Sequence, residues 1–227
     1  MPIKILQLLH LRKIMRSLDL REIPIIYINL DRDIDKKEKI EKTLGELGFK
    51  NIIRSPGFLH SSGNRGGCSM AHHNALKEID PPFIIIEDDA EIYDFDPEIC
   101  FPDDADAVYL GISSWGRMNG HSGPFVQYDI IDDDMLKVYN MLGTHAILYL
   151  SDEYVSVCTK IAYHQFKTEG YIDVGFTDVQ KYYNVYSFDS PLFYQSSSNG
   201  THGKLTSYPT SGCFKYYPNY FLPERVN

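Results

Sequence analysis

Residues 81–92 read "PPFIIIEDDAEI", and in them the most apolar short run of the chain, Phe83 to Ile86, passes straight into Glu87, Asp88 and Asp89. A brief, β-branched run of this kind is the pattern of a strand buried on both faces of a sheet. The carboxylates then mark the point where that strand emerges. In an open α/β sheet, ligands gather outside the carboxyl ends of the strands. Burying three carboxylates together is costly unless their charge is neutralised, and an oxygen-ligated divalent ion, Mn²⁺ or Mg²⁺, does this where phosphate is also present. The plainer reading is a solvated strand end or helix cap. Asp31/Asp33, Asp94/Asp96, Asp104/Asp106 and Asp132/Asp134 have similar acidic spacing, but none follows so apolar a strand.

Working outward, "IPIIYINL" (23–30) is a second apolar, β-branched run and reads as the first strand of the sheet. Asp31 or Asp33 can cap a helix in which Ile34, Ile40, Leu44 and Leu47 recur before Gly48. "NIIRS" (51–55) supplies another strand. Gly63, Gly66 and Gly67 read as a flexible loop ahead of a helix, "CSMAHHNALKEI" (68–79), whose Cys68, His72, Ala75, Leu76 and Ile79 share one face. Strand, helix, strand, helix, strand argues for right-handed crossovers and an α/β fold, a mainly parallel sheet flanked by helices.

The chain is long enough for one substantial core, with 227 residues of which 43% are hydrophobic. It has no long linker, low-complexity tract or internal repeat, so residues 23–227 read as a single domain with an aromatic C-terminal tail. A net charge of -9 gives no overall field that favours nucleic acid, so no nucleic-acid partner is expected. Cys68, Cys100, Cys158 and Cys213 are widely spaced without a zinc-like pairing, which suits reduced thiols and a cytoplasmic location. Residues 1–22, "MPIKILQLLHLRKIMRSLDLRE", mix apolar residues with Lys4, Arg12, Lys13 and Arg16 and read as an amphipathic helix. Ile5, Leu8, Leu9 and Leu11 either pack on the domain or make peripheral contact with a membrane surface.

Six segments occur in a telling order: "INLDR" (28–32), "GCSMAHHNAL" (67–76), "IIIEDD" (84–89), "GTHAILYL" (143–150), "YIDVGFTD" (171–178) and "PLFYQ" (191–195). Together they resemble glycosyltransferase family 25, the lipopolysaccharide-type and collagen galactosyltransferases, over about residues 24 to 196. The resemblance implies a GT-A fold, a nucleotide-sugar donor, a divalent metal near the acidic motif, and transfer with inversion to a glycan or other hydroxyl acceptor. It places Asn29 and Arg32 near the donor, Cys68 and His72 on the helix motif, Asp88 and Asp89 on the acidic motif, and Gly143, Thr144, His145 and Ala146 on a further segment. Asp173 falls on a later acidic position, although Tyr171-Ile172 departs from the usual opening. Ala71 stands where the family often has serine.

Sugar transfer leaves negative charge on the departing phosphate, which a Lewis acid stabilises, and takes a proton from the acceptor hydroxyl, which a carboxylate base accepts. The triplet suits the metal; Asp173 suits the base, with Asp178 as runner-up. Asp132 to Asp134 read as a solvated loop. For His72 the competing reading is a satisfied core histidine, for His145 a hydrogen-bonded residue at the start of a buried strand, and for Arg32 a surface ion pair with the following helix. In the tail, His202 and Lys204 flank Gly203 and suit a clamp in which the histidine ligates metal and the lysine meets phosphate; an exposed loop is the alternative. Two other functions share much of this pattern: an inactive carbohydrate-binding or scaffolding relative, and a sugar nucleotidyltransferase. The latter usually has a glycine-rich basic loop after the first strand, and "NLDRDIDKK" is basic without glycine.

Overall fold

The computed structural model describes residues 14–61 and 63–195. Strand β1 (Met15–Asp19) and a short 3-10 turn (Leu20–Glu22) lead into β2 (Ile25–Asn29), α1 (Ile34–Glu46), β3 (Ile52–Pro56), α2 (Asn64–Ala75) and β4 (Phe83–Glu87). Eight short strands follow: β5 (Ala90–Ile92), β6 (Glu98–Pro102), β7 (Ala107–Tyr109), β8 (Gly116–Met118), β9 (His121–Gly123), β10 (Tyr128–Ile130), β11 (Met135–Val138) and β12 (Ala146–Tyr149). Helices α3 (Asp152–Thr168) and α4 (Ile172–Gln180) precede β13 (Val185–Phe188) and β14 (Phe193–Gln195).

The main sheet has eight strands in the order β10-β11-β13-β7-β12-β4-β2-β3. The β2–β3 and β2–β4 pairs are parallel, as the strand-helix-strand order requires, and so is the β13–β7 pair. Between these groups β12 runs antiparallel to both β4 and β7, and β11 runs antiparallel to both β13 and β10. The sheet is therefore mixed, with most strands sharing one direction.

Alternation along β4 builds both core layers. Phe83 and Ile85 pack with Ala75 and Leu76 around α2, with Tyr154, Cys158 and Ala162 of α3, and with Phe176 of α4. Ile84 and Ile86 pack on the opposite side with Ile40 and Leu44 of α1 and with Leu20, Ile99 and Phe101. Side chains of this size contribute about 1.5–3 kcal/mol each when fully buried, and all four of these strand residues are fully buried. The segment from Phe83 to Ile86 is apolar on both sides because helices cover both faces of the sheet.

Two expectations fail locally. The helix read over residues 1–22 does not extend through 15–22: Met15 to Asp19 pair antiparallel with Pro102 to Glu98, and Arg16 stacks over the Phe101 ring. Residues 1–13 lie outside the described part. The local apolar spacing fitted a helix, but a distant strand supplied ladder partners that a short sequence window does not show. Gly66 and Gly67, expected in a flexible loop, are inside the first turns of α2. Their role is close approach, since a Cβ at Gly67 would lie 2.4 Å from the carbonyl oxygen of Phe58. The bare helix face lets the loop containing Phe58 and His60 settle against α2. The Asp132 to Asp134 run is exposed at the turn between β10 and β11, as its reading as a solvated loop requires.

Candidate functional site

The alternation that buries β4 also separates its carboxylates. Glu87 continues the Phe83 and Ile85 face towards α2, Asp88 turns to the α1 side, and Asp89 lies in the turn before β5. Glu87 accepts hydrogen bonds from His72 Nε2 at 3.1 Å, Thr144 Oγ1 at 2.6 Å and Gln195 Nε2 at 3.3 Å. A carboxylate acceptor assigns the His72 proton to Nε2. Burial works to raise the Glu87 pKa, but the hydrogen bond and charge of His72, the Thr144 hydroxyl and His145 outweigh it and hold Glu87 well below the ordinary carboxylate range.

Asp88 accepts from Asn29 Nδ2 at 2.7 Å and pairs with Lys36 Nζ at 3.3 Å. Burial works to lower the Lys36 pKa, but the charges of Asp88 and Asp89 prevail and raise it. Asp89 accepts from Gln195 Nε2 at 3.0 and 3.1 Å. Burial first, and then the charge of Glu87, push its carboxyl up to about 7. Gln195 reaches both carboxylates because β14 pairs antiparallel with β5, setting Gln195 opposite Ala90.

The reversed strand β12 completes the edge. Its amino end lies beside the carboxyl end of β4, where Glu87 N–H donates to the carbonyl of His145 at 2.9 Å. This brings Thr144 to Glu87. Beside the carboxylates is a cleft of about 220 Å³, lined by polar residues that include Asn29, Arg32, Lys36 and His72 and by the apolar residues Ile28, Leu30, Phe58 and Leu59.

The sequence-derived candidates divide accordingly. Asn29, Arg32, His72, Asp88 and Asp89 line the cleft. His72 is also a core residue, buried and hydrogen-bonded, so both of its readings describe it. Arg32 lies 3.7 Å from Asp33 at the start of α1 and still borders the cleft. Thr144 acts behind the cleft wall through Glu87. His145 is buried outside the cleft lining, with its ring over Gly111. A Cβ at Gly111 would sit 2.0 Å from His145 Nε2. Gly111→Ala is therefore expected to destabilise the fold by about 1–3 kcal/mol, seen as a lower urea midpoint at unchanged slope.

Asp173 stands at the start of α4, where the Val174 N–H donates to its Oδ1 at 2.8 Å. Burial, and to a lesser extent the charge of Glu87, raise its pKa against backbone hydrogen bonds that include one from Gly143. It lies behind the Gly143-Thr144 turn and does not line the cleft. Asp178 is exposed, about 140° around α4 from Asp173 at helical spacing, and the fold does not bring it to the cleft. His202 and Lys204 lie outside the described residues.

No family profile and no curated protein matches the chain. Among solved structures, the CTP:phosphocholine cytidylyltransferase of Streptococcus pneumoniae has a TM-score of 0.38 and 9% sequence identity, covering 77% of this chain and 72% of that one. So distant a likeness carries no argument about activity. The resemblance to glycosyltransferase family 25 rests on the six sequence segments.

The carboxylate edge has the oxygen donors that Mn²⁺ or Mg²⁺ requires. Asp89 fits best, because burial and the charge of Glu87 outweigh the partial compensation that Gln195 and Lys36 give its carboxylate. Asp88 already has the Lys36 ammonium beside it. Sequence reasoning did not assign Glu87 a place of its own, nor single out Lys36 or Gln195. Strand alternation separates Glu87 from Asp88, but the partners of Lys36 and Gln195 lie 52 and about 106 residues away in the chain.

The Asp89 shift has a signed consequence. Its folded pKa lies above the unfolded value of 3.8, so the folded state retains a proton that the unfolded state has released between those values. The resulting destabilisation grows as pH rises and is complete above the folded pKa. In chelator, Asp89→Asn is expected to raise the melting midpoint by about 2–4 °C at pH 8, the response to roughly 1 kcal/mol in a domain of this size. At pH 4 the gain should largely disappear; an equal gain at both values would contradict the titration.

Proposed function

We propose that the chain transfers a sugar from a nucleoside-diphosphate donor to a hydroxyl of a glycan or similar acceptor, with a divalent cation at the Asp88/Asp89 edge. The observation that carries this reading is the placement of Asp88 and Asp89 at the carboxyl end of β4, facing a cleft that also holds Asn29, Arg32 and Lys36. Carboxylates for a cation and basic groups for phosphate thus meet at the edge where α/β sheets bind ligands.

When bound, the cation neutralises negative charge on the departing diphosphate. Lys36 and Arg32 supply further positive charge, while Asn29 orients Asp88 through its amide. His72, Thr144 and Gln195 hold Glu87 ionised and fixed behind the reacting groups. In the inverting reaction implied by the family resemblance, the acceptor oxygen bonds to the sugar carbon as the carbon–phosphate oxygen bond breaks. The acceptor proton passes to a carboxylate, assigned to Asp173 on the family resemblance; because Asp173 does not line the cleft, this role requires the acceptor hydroxyl to approach from the Gly143-Thr144 side.

A second reading, sugar nucleotidyl transfer, draws on the basic segment after β2, which brings Arg32 and Lys36 into the cleft where a triphosphate would need cations. One assay separates the readings. The full chain is incubated with nucleotide sugars, or with nucleoside triphosphates and sugar phosphates, in Mn²⁺ or Mg²⁺. Release of nucleoside diphosphate with a glycosylated acceptor supports the proposal; release of pyrophosphate supports the second reading. Metal-dependent thermal stabilisation by nucleotide sugar without turnover in acceptor-supplied reactions would identify a binding protein.

A further inference from the structure

Cys68 and His72 are one turn apart on α2, and Glu87 approaches them from the end of β4. Their thiol, imidazole and carboxylate donor atoms all lie within 4.8 Å of one another. We propose that Cys68, His72 and Glu87 form a binding site for a zinc-class divalent cation, distinct in chemistry from the oxygen-donor edge assigned to Mn²⁺ or Mg²⁺. Thiolate and imidazole select soft or borderline metals, whereas Mg²⁺ and Mn²⁺ favour carboxylate, carbonyl and water oxygens.

Three further observations support the site. Zinc bonds of about 2.0–2.3 Å in a tetrahedron place ligand atoms roughly 3.3–3.8 Å apart, so modest side-chain rotation closes the set. His72 Nε2 and Glu87 Oε1 already lie 3.1 Å apart, close to that ligand spacing; a cation between them displaces the Nε2 proton, and the ring keeps a proton on the buried Nδ1, which has no hydrogen-bond partner among the described residues. All three residues border the cleft, which leaves a further coordination position open to water or ligand. Burial first, and then the charges of Glu87, Asp173 and Asp89, push the Cys68 thiol pKa up, so ligation must displace a proton. Cation binding displaces the thiol proton to solvent, and Sγ then ligates as thiolate, with no change in oxidation state.

This inference is independent of glycosyl transfer because its test is metal binding to the full chain without nucleotide or sugar. Cobalt(II) serves as a spectroscopic probe, followed by competition with Zn²⁺. The wild-type chain should give a near-ultraviolet thiolate-to-cobalt band that Zn²⁺ removes. Cys68→Ser should abolish the band, and His72→Gln should weaken Co²⁺ binding by at least about 10-fold, the lower end of losses seen even for groups supporting metal ligands. Cys100→Ser and Cys213→Ser should retain both band and affinity. No band in wild type, a band persisting in Cys68→Ser, undiminished binding in His72→Gln, or loss of the band in either control would overturn the assignment. Circular dichroism establishes whether the metal-free variants fold. If Cys68→Ser or His72→Gln does not fold, Zn²⁺ protection of wild-type Cys68 from iodoacetamide, mapped by peptide mass, decides the question: protection supports the site and unchanged alkylation refutes it.

Discussion

Asp173→Asn is expected to lower sugar transfer by about 10²- to 10⁴-fold while donor affinity stays near wild type, the loss associated with a missing general base. The substitution preserves size, and its amide oxygen can still accept the Val174 N–H that now donates to Oδ1. It removes proton acceptance from a carboxylate whose pKa burial has raised. Donor binding by calorimetry, single-turnover transfer and thermal melting should be measured together. A melting loss matching the activity loss would make Asp173 a helix-capping residue. Near-normal transfer would move the base to another carboxylate.

Asp89→Ala should weaken metal-dependent donor binding by about 10- to 100-fold, comparable with losing a charge-assisted contact of roughly 1.5–3 kcal/mol. Asp88→Ala should have a smaller effect. Asp88 is already compensated by Lys36 and Asn29, and its removal releases the Lys36 ammonium towards donor phosphate. Asp89 has the neutral Gln195 amide in contact and an elevated pKa that a cation would reverse. Donor titrations over a range of Mn²⁺ concentrations test the order. Wild-type metal dependence in both variants would place the cation elsewhere.

These expected effects involve residues made legible by different physical signals. Phe83 to Ile86 declare a buried strand because four adjacent apolar side chains require cover on both faces, and both core layers meet that requirement. The same strand pattern puts the carboxylates at an exit. The α1 repeat likewise locates a helix, whose end is shaped by Gly48 at a positive φ of 86°. Asn29, Arg32, His72, Asp88 and Asp89 were legible as site candidates through their positions beside these elements and the ordered family-like segments.

Their partners were not similarly encoded in neighbouring residues. Met15 to Asp19 form a strand because Glu98 to Pro102 provide its ladder, and Gln195 reaches Asp89 because β14 returns beside β5. Thr144 meets Glu87 because β12 reverses direction within the sheet. Local side-chain periodicity identified the buried runs and their ends by themselves, since the demand to remove apolar surface from water acts along each segment. Tertiary structure alone decided which distant groups share the charge of the acidic edge, because hydrogen bonds and Coulomb interactions depend on distance in space, and strand order and direction set that distance.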